Sequence, residues 1–171
     1  LKDAALNAVD GAVDGPMEEA MPTPEFRAGE GRAEIRGLFS GGTLCAEAQA
    51  ILLGAGVAVA SNAAIPGASS VVDTDLGHLL LDLGDDAYTK GRPHPMIDPM
   101  VRDESLSRAL NDQAVAVVLV DVVIGLGSHV DPAGHLATTI ENERPKDGPI
   151  VIASVIGTEA DPQVRSAQVA K

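Results

Sequence analysis

The residues with the clearest chemical potential lie in "FSGGTLCAEAQ", where a strand-like end runs through Gly41 and Gly42 into a helical pattern with no acid in its first turn. The first N–H groups of a helix lack partners within it and sit at the positive end of its dipole. Left uncapped, they can take the oxygens of phosphate, pyrophosphate or carboxylate. Thr43 offers only a weak cap, and the two glycines leave the backbone bare. The same glycines equally suit a tight turn with no ligand. Three other helical segments open on Asp-Pro: Asp98-Pro99, Asp131-Pro132 and Asp161-Pro162. There the carboxylate accepts from first-turn N–H groups, and proline removes a donor that would be unpaired anyway. Those helices are expected to cap themselves, unlike the one after Gly42.

Further candidates follow other strand-like runs, in "DLGDD" (82–86), "GLGSH" (125–129) and "GTEAD" (157–161). Gly84, Gly125, Gly127 and Gly157 let backbone approach a ligand, or simply serve turns. Asp85, Asp86 and Glu159 have carboxylates able to hold Mg²⁺ beside a phosphate, to act as acid and base, or to cap turns. Thr158 and Asp161 have the spacing of a capping box. His129, after two glycines, is a candidate base or phosphoryl acceptor, whereas His135 falls within a helical pattern and reads as structural. His94 is held between prolines in "GRPHPMIDP", and Arg92 beside it suits a carboxylate, a phosphate or a loop anchor. Cys45 falls in a first helical turn, which lowers a thiol pKa, but with no histidine partner by spacing we read it as core. No Walker A pattern and no G-x-G-x-x-G after a strand occurs, so the chain has no recognisable triphosphate or dinucleotide cradle of its own.

The elements that must position these residues are five apolar runs: "EIRGLFS", "GVAVAS", "HLLLDLG", "AVAVVLVDVV" and "PIVIASVIG". Rich in Val, Ile and Leu, they read as strands buried on both faces. Helical patterns over 43–53, 99–110, 132–143 and from 162 onward alternate with them. That alternation predicts an α/β fold, a doubly wound parallel sheet with helices on both sides. Strand ends then converge on one edge, where such sheets form their ligand crevice.

Residues 1–33 read instead as an irregular segment or linker, with a weak helical pattern over 2–9 and an extended "MPTPEFRAGEGR". We place the domain at 34–171. A start at Leu1 and an end within a helical pattern suggest part of a longer protein. At 171 residues and 45% hydrophobic, the chain suits one domain, and with 2% aromatics its core must be aliphatic. A net charge of −13 argues against nucleic-acid or anionic-membrane partners. The lone cysteine excludes an internal disulfide, and a reducing cytoplasm is the simplest compartment.

"RGLFSGGTLCAEAQ", "LDLGDDAYTKGRPHPMIDP", "VVLVDVVIGLGSHVDPAGHL" and "VIASVIGTEADPQ" together resemble the FdrA family of acyl-CoA synthetase-like proteins, related to succinyl-CoA synthetase. The resemblance covers about 34–171 and implies a flavodoxin-like, three-layer CoA-ligase domain. By similarity, Gly41, Gly42 and Thr43 match a phosphate-holding helix start. The Gly-His-Ala-Gly-Ala pattern of the synthetases' phosphohistidine is absent, and His129 in "GSHVDPAGH" is the nearest counterpart. The resemblance further implies an acid–thiol ligase completed by CoA-binding and nucleotide-binding domains or subunits. CoA, ATP or ADP and Mg²⁺ are implied for the full enzyme, with a small anionic substrate and an oligomeric assembly. Two alternatives stand beside it: a subunit of a carbamoyltransferase using carbamoyl phosphate in purine catabolism, and a non-catalytic assembly domain.

Overall fold

The computed structural model describes residues 29–71 and 77–171; the 2–9 helical pattern and most of the 1–33 segment lie outside them. Six parallel strands form one sheet: β1 (Glu34–Phe39), β2 (Val59–Ser61), β3 (Ser69–Ser70), β4 (His78–Asp82), β5 (Val115–Val123) and β6 (Ile150–Ile156), in the order β3-β2-β4-β1-β5-β6. The chain therefore winds from β1 to one side and then crosses to the other, and the switch point falls beside β1. Among the described residues five helices accompany the sheet: α1 (Gly42–Gly54), α2 (Asp86–Thr89), α3 (Met100–Asn111), α4 (Pro132–Glu143) and α5 (Arg165–Val169). The short β3 and the single-turn α2 carry no periodic signal in the sequence.

Neighbouring residues of the central strands serve opposite cores. Leu38, Val118, Val120 and Val122 pack beneath α3 and α4 with Leu106, Leu110 and Leu136. Phe39, Leu80 and Leu119 face α1 with Cys45, Leu52 and Val59. This two-sided burial is why the runs are continuously apolar rather than alternating. The fold is thus the expected three-layer, flavodoxin-like arrangement. Its edge strand β6 is less enclosed: Ile152 and Ile156 share the face of Leu119 and Val123 through the β5–β6 register, yet both are exposed.

The helix starts follow local chemistry in two of three cases. Asp131 accepts from the Gly134 N–H at 3.1 Å with Pro132 opening α4, and Asp98 accepts from the Met100 N–H at 3.1 Å ahead of α3. Asp161 instead turns back to accept from the N–H and hydroxyl of Thr158. The chain then passes through Val164, whose φ of 56° is rare for a β-branched residue, and α5 begins only at Arg165.

Candidate functional site

Because every strand runs the same way, the loops after β1, β2, β4, β5 and β6 all leave from one edge. Within that edge the predicted residues fall into two groups.

The first group surrounds the start of α1. Gly41 is the extended N-cap of the helix, no side chain among the described residues bonds its N–H groups, and its first turn holds no acid, as the sequence predicted. Gly42 and Thr43 are exposed. A carboxylate does reach this end, however, from another strand: Asp82 Oδ2 lies 3.0 Å from where a Cβ on Gly42 would sit. The register places it there, since Phe39 pairs with Asp82. Asp82 Oδ1 accepts from the Gly84 N–H at 2.9 Å, and Asn62 grips the Asp82 backbone at both its N–H and its carbonyl, each at 2.9 Å.

Gly84 closes the floor of this group. A Cβ there would meet the Ser40 carbonyl oxygen at 2.5 Å and His94 Nε2 at 2.7 Å, so only glycine lets the β4 loop, the β1 end and the histidine come together. His94 Nδ1 accepts from the Met96 N–H at 3.2 Å, which leaves Nε2 to carry the proton of the neutral ring and face this floor. Asp85 caps α2 by accepting from the Ala87 N–H at 2.8 Å, and Asp86 opens that helix on the surface.

Beneath the group lies a buried ion pair. Asp121 and Arg102 are 1% and 4% exposed, and Arg102 Nη1 donates to the Asp121 carboxylate at 3.2 Å and to its carbonyl at 2.6 Å. The Asp121 carboxylate also accepts from the Ser40 N–H at 2.8 Å and from its hydroxyl at 2.9 Å. Burial pulls the Arg102 pKa down, with Asp121 pulling the other way. The pair fixes the residue that hands β1 over to Gly41.

The second group is built by the loops after β5 and β6. Gln163, buried, takes the Gly125 N–H on its Oε1 at 3.1 Å. Its Nε2 donates to the Gly125 and His129 carbonyls and to the Ser128 hydroxyl at 2.9–3.1 Å. Gly125 and Gly127 lie in this clamped loop, and Gly157, at φ 149°, leads into Thr158 and the Asp161 turn. His129 Nδ1 accepts from the Asp131 N–H, its main chain donates to Met96, and its ring meets His135 edge-on with centroids 6.1 Å apart. His135 pairs with Asp103 at 2.9 Å between α4 and α3. Glu159 accepts from the N–H and hydroxyl of Ser166, both at 2.8 Å, so its carboxylate caps α5.

The sequence analysis therefore identified Gly41, Gly42, Thr43 and Gly84 in the first group, and Gly125, Gly127, Gly157, Thr158, His129 and Glu159 in the second. It did not single out Asp82, Asn62, Asp121 or Gln163, whose roles depend on partners 20 to 81 residues away. His94 was legible only as a histidine between prolines. Cys45 is fully buried, its thiol pKa raised by that burial, and it packs against Ser61 and Gln49. Among the described residues, no three His, Cys, Asp or Glu side chains gather as a metal-holding group. The acids of 82–86 and 157–161 are engaged in local turns: Asp82 takes the Gly84 N–H, Asp85 caps α2, Glu159 bonds Ser166 and Asp161 bonds Thr158. No described helix is long and apolar enough to cross a membrane.

The fold is that of a doubly wound α/β domain, and comparison with known families gives its class. The CoA-ligase family matches residues 38–171, and the chain belongs to that family. Over 134 residues it is 40% identical to the uncharacterised protein YahF of Escherichia coli (strain K12), covering 74% of this chain. That stretch is 26% of YahF, so the chain spans about a quarter of that relative's length.

Proposed function

We propose that this is the CoA-ligase domain of an FdrA-like acyl-CoA synthetase, and that phosphate or an acyl phosphate docks at the start of α1 during acyl-CoA formation. The observation that carries the reading is the uncapped end at Gly41, Gly42 and Thr43, on the crevice edge of a CoA-ligase domain. Its N–H groups and dipole favour phosphoryl oxygens. Ser40 is held by Asp121, itself paired with Arg102, so the helix start is positioned before any ligand arrives. His94 Nε2–H faces the same floor and supplies a donor for an anionic oxygen.

Asp82 works against this. Its charge beside Gly42 repels a dianion, so binding here is weak in the isolated domain and strengthens where other domains complete the site. CoA would enter from a CoA-binding domain and the phosphoryl group from a nucleotide-binding domain, both supplied by partner domains or subunits.

Phosphorus NMR tests the reading by titrating the 171-residue chain with phosphate, carbamoyl phosphate and CoA. Shifts or broadening that Gly42→Asp abolishes, while the fold is kept, support an anion at residues 41–43. Binding that survives Gly42→Asp overturns it. Preference for carbamoyl phosphate over phosphate and CoA would redirect the same site to carbamoyl transfer.

A further inference from the structure

A cavity lies away from the crevice, between α4, β6 and α5. It is an open groove of 740 Å³ with an apolar floor of Ile140, Val151, Val155 and Val169. Its rim carries Arg144, Arg165 and Lys171, against a single acid among the described residues, Glu141. Arg144 donates to the Pro149 and Gly148 carbonyls and Arg165 to the Val155 carbonyl, so among the described residues neither guanidinium is paired with a carboxylate. Lys171 pairs with Asp131. In a protein of net charge −13, a basic-rimmed apolar groove fits an acidic, partly apolar strip of chain.

Such a strip adjoins it. Residues 1–28 contain six acids, Asp3, Asp10, Asp14, Glu18, Glu19 and Glu25, against Lys2 and Arg27, with apolar residues between them. They join the described fold at Gly29, where a Cβ would lie 3.1 Å from the carbonyl oxygen of Asp147, in the turn joining α4 to β6. Beside this junction Arg32 Nη2 is buried with no hydrogen-bond partner among the described residues. The groove begins at the same end, since Arg144 bonds Gly148 and Pro149 at the foot of β6. The seven residues of β6 run about 23 Å. The chain from Gly29 back to Met17 can span roughly 40 Å when extended, which is ample.

We propose that residues 1–28 of this same chain dock in the α4–β6–α5 groove, with the acids of "MEEAMPTPE" opposite Arg144 and Arg165. Docking would cover the apolar floor and tie the segment before the domain to the helix face behind the crevice.

The test uses the full chain with Ala20→Cys carrying a spin label; the native thiol, Cys45, is fully buried and stays unlabelled in the folded protein. Amide signals of Ile140, Val151, Ala153 and Val155 should lose the most intensity. Glu18→Lys with Glu19→Lys in the labelled chain should restore them, as should about 1 M salt, which shortens electrostatic reach to about 3 Å. Losses spread over the surface, or centred on the amides of α1 across the sheet, overturn the proposal. So does a loss seen only when label and isotope reside on different copies, which would make a second copy the occupant.

Discussion

Asp82 and Gly42 stand on adjacent strand ends with the carboxylate 3.0 Å from the vacant Cβ position of the glycine. The helix start that lacks an acid in its own sequence receives one through the sheet. Asp82 bonds Gly84 rather than the N–H groups of α1, so it tempers the positive end without capping it.

Replacing that charge should therefore sharpen the proposed site. Asp82→Asn keeps the shape and removes one repulsion, worth on the order of 1 kcal/mol at a solvated edge, or roughly fivefold tighter phosphate binding. Gly42→Asp should act in the opposite direction and also crowd Asp82. Phosphorus NMR on both variants decides: equal affinity in Asp82→Asn and the native chain would remove the anion from this end.

Gly84→Ala should be among the costliest single-methyl additions, since its Cβ would meet a carbonyl oxygen and a ring nitrogen well inside contact distance. A loss of about 2 kcal/mol or more in urea unfolding is expected. A loss under about 0.5 kcal/mol would mean that the β4 loop moves freely from Ser40 and His94.

Asp121 and Arg102 form a pair in which each needs the other. Asp121→Ala leaves a buried guanidinium and frees the Ser40 N–H, with an expected cost of about 3–5 kcal/mol. Arg102→Met combined with Asp121→Leu should cost much less than the sum of the single changes, by the same reasoning. Additive costs would show that the pair is uncoupled.

Cys45 should resist thiol reagents until the protein unfolds, because it is fully buried and burial raises its pKa. Its folded pKa lies above the unfolded value, so this contribution to stability is complete below the unfolded pKa and is lost as pH rises through the folded one. Unfolding followed from pH 7 to 10.5 should show stability falling above about pH 8.5 in the native chain, and less so in Cys45→Ala. Rapid labelling under native conditions would overturn the buried assignment.

What the sequence determined by itself is what near neighbours control. Continuous Val, Ile and Leu runs separated by helical periods sufficed for a two-sided parallel sheet, and α4 begins and ends at 132 and 143 as its pattern predicts. Asp131 caps as read because donor and acceptor lie three residues apart. The absence of an acid within the first turn of α1 is likewise a fact of adjacent residues. Tertiary structure decided the rest. Only the β1–β4 register carries Asp82 to Gly42, only the long reach of Gln163 clamps Gly125 and His129, and only loop packing turns His94 toward Gly84. Asp161 shows the same limit from the other side: a capping dipeptide is a local preference, and here the Asp161 carboxylate takes two donors of Thr158 instead of those of a following helix.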